Sequence, residues 1–137
     1  MALTHLIDTS VLERMSQPLV RTAVEPLAAQ GEVARPTICD LEIGYSARNA
    51  AEWDQLMESL DVFAPVETTA AHLHRSLQVQ RLLADRSQRG HKIPDLLITA
   101  AGEALNLTVL HYDSDFDLIA GVTGQRTQWV VPAGEAD

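Results

Sequence analysis

Residues 93–117 read IPDLLITAAGEALNLTVLHYDSDFD, and this stretch decides the fold. Pro94 suits a first helical position and opens a helix running to about Leu105. Leu107 to Tyr112 follows as a run of apolar and β-branched residues, the clearest strand in the chain. It ends at Asp113, and Ser114 to Ala120 reads as a short helical turn. A helix, a strand and a helix in succession, with an acid where the strand stops, imply a parallel sheet covered by helices on both faces.

The rest of the chain repeats that grammar. Leu3 to Ile7 reads as a first buried strand ending at Asp8. Ser10-Val11-Leu12-Glu13 fits a capping box in which the Ser10 hydroxyl caps the next helix. A second helical stretch runs from about Val20 to Gln30, with Pro26 an irregularity and Gly31 its stop. Glu32 to Arg35 is a weak strand. Thr37 is placed to cap a helix reaching about Asn49. Ala51 to Leu60 is helical, with Trp53, Leu56, Met57 and Leu60 on one stripe assigned to the core. Val62 to Val66 is a short strand. Thr68 or Thr69 caps a long helix to about Arg89, closed by Gly90, whose buried face is expected from Leu73, Leu77, Val79, Leu82 and Leu83. Thr127 to Val131 is the last strand. There is no repeat, linker or low-complexity segment, so residues 1–137 read as a single domain.

Four acids then share one placement. Asp8 and Asp113 directly follow strands, Asp95 lies in the first turn of its helix, and Glu42 lies one turn inside its own. In a parallel sheet the ligand crevice lies beyond the carboxyl ends of the strands, so the topology aims all four at one edge. Singly, each has an ordinary explanation: Asp95 complements a helix dipole, Asp113 makes an Asx turn, and Glu42 is a polar residue on an amphipathic helix. Jointly they are costly, because converging carboxylates repel one another unless a cation binds. An all-oxygen set suits Mg²⁺ or Mn²⁺ rather than zinc. No His/Cys spacing of zinc type occurs: His72 and His74 are two apart on a helix, and His91 and His111 are isolated.

Other acid-based chemistries fit poorly. Asp113-Ser114-Asp115-Phe116-Asp117 starts like a calcium loop, but its sixth position is Leu118 and its twelfth is Gly124. Asp115 remains a further metal ligand or an outer acid, and Asp117 faces solvent. Asp8-Thr9-Ser10 lacks the second Asp of haloacid-dehalogenase phosphatases. The third strand lacks the phospho-accepting Asp of response-regulator receivers. No nucleophile elbow or phosphate-binding Gly-rich loop is present.

Composition adds bounds. The net charge of −9 opposes nucleic-acid binding taken alone, but bound cations would offset part of it. The basic residues also concentrate in one stretch, Arg75, Arg81, Arg86, Arg89 and Lys92, whose only acid is Asp85. Its ordinary reading is a solvated helix face plus a loop. Cys39 is the sole cysteine, which excludes an internal disulfide. The apolar runs are too short to span a bilayer and no secretory signal is visible, so a cytoplasmic protein with no membrane partner is expected.

With these residues in place, the chain resembles the PIN-domain nucleases, and specifically the VapC-type toxins of prokaryotic toxin–antitoxin pairs. The resemblance spans nearly the whole chain. It rests on Leu6-Ile7-Asp8-Thr9-Ser10, Thr37-x-x-x-x-Glu42-x-Gly44, Ile93-Pro94-Asp95-x-x-Ile98-x-Ala100, and Leu110-His111-Tyr112-Asp113-Ser114-Asp115-Phe116-Asp117. It implies a three-layer α/β/α sandwich around a small parallel sheet. It also implies a Mg²⁺ or Mn²⁺ site formed by Asp8, Glu42, Asp95 and Asp113, often joined by Asp115, with Thr9 or Ser10 orienting it. The implied activity is metal-dependent endoribonuclease. The implied partners are an RNA substrate, a cognate VapB-type antitoxin and a second copy in a homodimer. Arg86, Arg89 and Lys92 precede Asp95 and are candidates to guide the RNA backbone. The alternative is a non-catalytic interaction module that keeps the fold; the intact acid set argues against it.

Overall fold

The structure is a computed structural model that describes residues 2–88 and 92–137. Five strands, β1 (His5–Ile7), β2 (Val33–Pro36), β3 (Ala64–Val66), β4 (Thr108–His111) and β5 (Thr127–Trp129), form one sheet. Every pairing is parallel and the strand order is β3-β2-β1-β4-β5. The helices are α1 (Thr9–Leu12), α2 (Pro18–Ala29), α3 (Thr37–Gly44), α4 (Ala50–Ser59), α5 (Ala70–Asp85), α6 (Ile93–Leu105) and α7 (Asp115–Thr123), with a 3₁₀ turn at Leu60–Val62.

The pleat explains the three layers, because successive strand residues point to opposite faces. Ile7, Val33 and Leu110 enter one core with Val11 of α1 and Val20 and Val24 of α2. Their neighbours Leu6, Ala34 and Val109 enter the other, with Cys39 of α3, Ile98 and Ala101 of α6, and Phe116 of α7. Each central strand is therefore apolar on both faces, which is why these strands read as continuous apolar runs. A smaller cluster of Val79, Leu83, Leu96 and Ile119 joins α5, α6 and α7. The α/β sandwich expected from the sequence is the architecture found.

The strand order reverses between β1 and β4. Both strands end at the same edge, where a crevice opens in sheets of this topology. The chain places Asp8 after β1 and Asp113 just beyond β4 at that edge. Proline begins α6 as expected, and Asn106 closes it in the left-handed conformation at φ 57°. Gly44 ends α3 under the indole of Trp53: a Cβ there would lie 2.7 Å from the indole nitrogen.

Several local expectations are corrected. Ser10 does not cap α1. Asp8 does, accepting the Ser10 amide at 2.9 Å, while the Ser10 hydroxyl accepts the Tyr112 amide at 2.8 Å. A partner distant in sequence has taken the hydroxyl that a local motif would use. Thr37 likewise donates to the Val66 carbonyl at 3.1 Å instead of capping α3, which stops at Gly44 well short of Asn49. Asn49 begins α4 as its N-cap.

Helix α4 buries no residue, and Trp53 is an exposed apolar side chain rather than a core one. Only Leu60, past its end, is buried. On α5, Val79 and Leu83 are buried as expected, but Leu73, Leu77 and Leu82 are exposed. Thr69 caps this helix in a full capping box with His72, and the helix ends at Asp85. The proposed helix end at Arg89, its Gly90 stop and His91 lie outside the described residues. Among the described residues, no helix is long and apolar enough to cross a membrane.

Candidate metal centre

Each acid reaches the crevice for a local reason. Asp8 is fixed because β1 must stop and α1 must be capped: its Oδ2 takes the Ser10 amide. Asp113 makes the Asx turn anticipated from sequence, accepting the Asp115 amide on Oδ1 at 2.9 Å. That bond turns the chain into α7 and brings Asp115 to the same side. Asp95 sits in the first turn of α6, buried with 4% of its surface exposed. Ligand oxygens of Asp95, Asp113 and Asp115 all lie within 4.8 Å of one another. Asp115, an optional member of the expected set, therefore belongs to the tight trio.

Asp8 and Glu42 stand beside that trio rather than within it. The negative charge of Asp8 is felt at Asp95, and that of Glu42 at Asp8. Glu42 comes from α3 and accepts the Thr9 hydroxyl on Oε1 at 2.8 Å. The two hydroxyl residues expected to orient the site lie beside these acids: the Thr9 hydroxyl donates to Glu42, and Ser10 gives its amide to Asp8 while its hydroxyl accepts the Tyr112 amide just past β4.

The electrostatics match this crowding. Burial pushes the Asp95 carboxyl up to about 7, and the neighbouring Asp8 charge adds to the rise. Burial also raises Asp8, against the hydrogen bonding from Ser10, with Glu42 adding repulsion. Asp113 goes the other way. Burial alone would raise it, but the Lys92 ammonium and the Asp115 amide outweigh burial and hold it below the usual carboxylate range. Lys92 Nζ lies 2.8 Å from Asp113 Oδ2.

One buried oxygen tests whether a cation fits. Asp95 Oδ2 is fully buried and has no hydrogen-bond partner among the described residues. An unsatisfied buried carboxylate oxygen is costly, and it lies among other carboxylates with no donor to satisfy it. The donor set is all oxygen and held by backbone turns, as hard divalent ions require. The residues fit a divalent cation.

The basic residues of the stretch from Arg75 to Lys92 make different contacts where they are described. Lys92 enters the crevice. Arg86 is exposed and donates to the Gly121 carbonyl of α7 at 3.3 Å. Arg89 lies outside the described residues. Arg75 is bound to Glu103 of α6 at 2.8 Å, so it braces two helices.

His111 was not anticipated. It is fully buried, its Nδ1 accepts the Asp113 amide at 3.2 Å, and its ring lies against Phe116 and Trp129. Burial pushes its pKa down to about 4, so it is neutral at pH 7. The one signal for it in sequence is its place between an apolar strand and Asp113.

A sheet of this order with carboxylates at its switch point defines the class. The PIN domain family model matches residues 5–122, and the chain belongs to that family. Its relatives there are VapC proteins. It is 65% identical over 137 residues to Ribonuclease VapC51 of Mycobacterium tuberculosis, covering 100% of both chains. It is 39% identical over 138 residues to Ribonuclease VapC21 of the same species, covering 99% of this chain and 100% of that one. The fold is shared with VapBC2 from Rickettsia felis, solved bound to a DNA fragment from their promoter. There the TM-score is 0.74 at 15% identity, with 94% of this chain and 99% of that one covered. FitAcB from Neisseria gonorrhoeae gives a TM-score of 0.72 at 18% identity, covering 93% and 98%.

Proposed function

We propose that this chain, one catalytic domain over residues 1–137, is a metal-dependent endoribonuclease and the toxin of a VapBC-type toxin–antitoxin pair. The observation that carries this is the buried, unpartnered Asp95 oxygen among the carboxylates of Asp113 and Asp115. The relatives named ribonucleases VapC supply the substrate class.

In this reading Asp8, Asp95 and Asp113 hold Mg²⁺ or Mn²⁺, with Glu42 bound directly or through water and Asp115 completing the set. A bound divalent ion supplies a water of lowered pKa and neutralises charge at an RNA phosphodiester. The chain's own residues do the positioning. The Ser10 amide fixes Asp8, the Thr9 hydroxyl fixes Glu42, and the Asp115 and His111 contacts fix Asp113. No Ser, Cys or His nucleophile is required. Lys92 and Arg86, with Arg89, guide the RNA backbone. Aromatic residues make up only 4% of the chain, which favours reading by backbone and shape over base stacking.

The partners follow the same reading. A VapB-type antitoxin and a second copy of the chain need apolar docking faces. Leu41 and Tyr45 beside Glu42, and Leu73, Leu77 and Ile93 along α5 and α6, are exposed. An antitoxin that places a basic side chain in the acidic crevice would meet complementary charge. The expected compartment is the cytoplasm.

The test is cleavage of a pool of structured RNAs by the purified chain, in Mg²⁺ or Mn²⁺ and in EDTA, beside Asp8→Asn. Cutting that needs metal and vanishes in the variant is the expected result. Neither cutting nor metal binding in the wild type would overturn the reading and favour the interaction module.

A further inference from the structure

The crevice gathers five carboxylates, and a chain of net charge −9 offers little to balance them. Among the described residues, Lys92 is the one cation that pairs with any of the five. Its backbone is fixed: it is the N-cap of α6, and its carbonyl accepts the Asp95 amide at 3.1 Å. Its side chain is 62% exposed.

The two oxygens of Asp113 are held in unlike ways. Oδ1 takes the Asp115 amide and belongs to the turn into α7. Among the described residues, Oδ2 takes only the ammonium of this exposed side chain. Releasing Oδ1 would undo a turn, whereas releasing Oδ2 requires one exposed lysine to swing aside. The Lys92 charge also acts on Asp95 and Asp115, so it opposes any second cation near the trio.

We propose that Lys92 is the built-in competitor of the divalent cation: its ammonium occupies Asp113 Oδ2 in the metal-free chain and must leave for the ion to bind there. This rests on the metal-nuclease reading. Lys92 then serves two states. Without metal it relieves carboxylate repulsion and keeps the fold stable. With metal it is a freed cation at the crevice mouth, where a substrate phosphate would arrive.

The experiment is calorimetric titration of the full chain with Mn²⁺ alone, for wild type, Lys92→Met and Lys92→Arg, with Lys92→Gln as a second neutral variant. Removing the positive charge is expected to tighten Mn²⁺ binding on the order of tenfold, while Lys92→Arg stays near wild type. Thermal melting gives an independent readout. The neutral variants should melt lower than wild type in EDTA and gain more on adding Mn²⁺. Unchanged or weaker Mn²⁺ binding in the neutral variants would overturn the competitor role and leave the metal site standing. Equal tightening in Lys92→Arg would overturn its basis in charge. A wild type that takes up no Mn²⁺ removes the metal-nuclease reading itself, and this proposal with it.

Discussion

The two sides of the crevice carry the same carboxylates in opposite states. On one side Asp8 and Asp95 are buried, repel each other and have raised pKa values, and an Asp95 oxygen has no partner among the described residues. On the other Asp113 is half-buried, bonded through both oxygens, and held below the ordinary carboxylate range. Burial acts on both sides. The difference lies in what meets the charge: a lysine and a turn amide at Asp113, and chiefly other carboxylates around Asp95. The Asp113 side is complete as it stands, and the Asp95 side is complete only with a cation. A site of this kind can fold without metal and still bind it strongly.

Substitutions on each side test this contrast. The largest effect is expected on cleavage: Asp95→Asn and Asp8→Asn should each lose RNA cleavage by more than about 100-fold, beyond the usual loss for a residue that only supports a ligand. Retained activity in both purified variants would remove Asp8 and Asp95 from the site.

The next effect is on stability without metal. A raised pKa means that Asp95 binds its proton more tightly folded than unfolded. Its stabilising share is full below the ordinary value of 3.8 and is lost as pH climbs through about 7. Asp8 contributes with the same sign. His111, pushed down to about 4, contributes stability that is lost as pH falls, so it opposes Asp95 over part of that range. The difference between Asp95→Asn and wild type isolates the Asp95 share. In EDTA the variant should become progressively more stable than wild type from pH 4 to 7. Above pH 7 it should lead by about 4 kcal/mol, or roughly 12 °C in melting temperature for a domain of this length. A flat difference across pH would mean that Asp95 is not strained by its neighbours.

A smaller effect is expected from Thr9→Val, which removes the hydroxyl that holds Glu42. Roughly tenfold loss of cleavage or metal affinity, with little change in melting, would mark Thr9 as a positioning residue. Smallest of all, Asp113→Asn should lower metal-free stability by no more than about 1 kcal/mol, because its partner Lys92 is largely exposed. Its sign is the informative part. If Asp113→Asn and Asp95→Asn shift metal-free stability in the same direction, the contrast between the two sides is wrong.

Much of this molecule is written locally. The runs around Leu6-Ile7 and Val109-Leu110 specify strands buried on both faces, because alternate residues feed two cores. Pro94 and Asn106 bound α6 by backbone geometry alone. Acids at strand ends become crevice acids through the parallel topology, which the alternation of elements dictates. Expectations failed where a side chain had a choice of partners. Ser10 bonds Tyr112, 102 residues away, in place of its own helix. Leu73, Leu77 and Leu82 have helical spacing but no layer above them, so the stripe is apolar and exposed. Trp53 rests on Gly44 at the surface, where size and hydropathy alone had suggested the core.

The element order, the parallel sheet, its two apolar faces and the acids at its carboxyl edge are legible in the residues alone, since all of these depend on periodicity and chain punctuation. Which carboxylate is buried without a partner among the described residues, which is bound by Lys92, and that Thr9 holds Glu42 across 33 residues emerge only on folding. Those facts depend on distances between segments remote in sequence. Burial and Coulomb energies act through space, and no local pattern of residues encodes them.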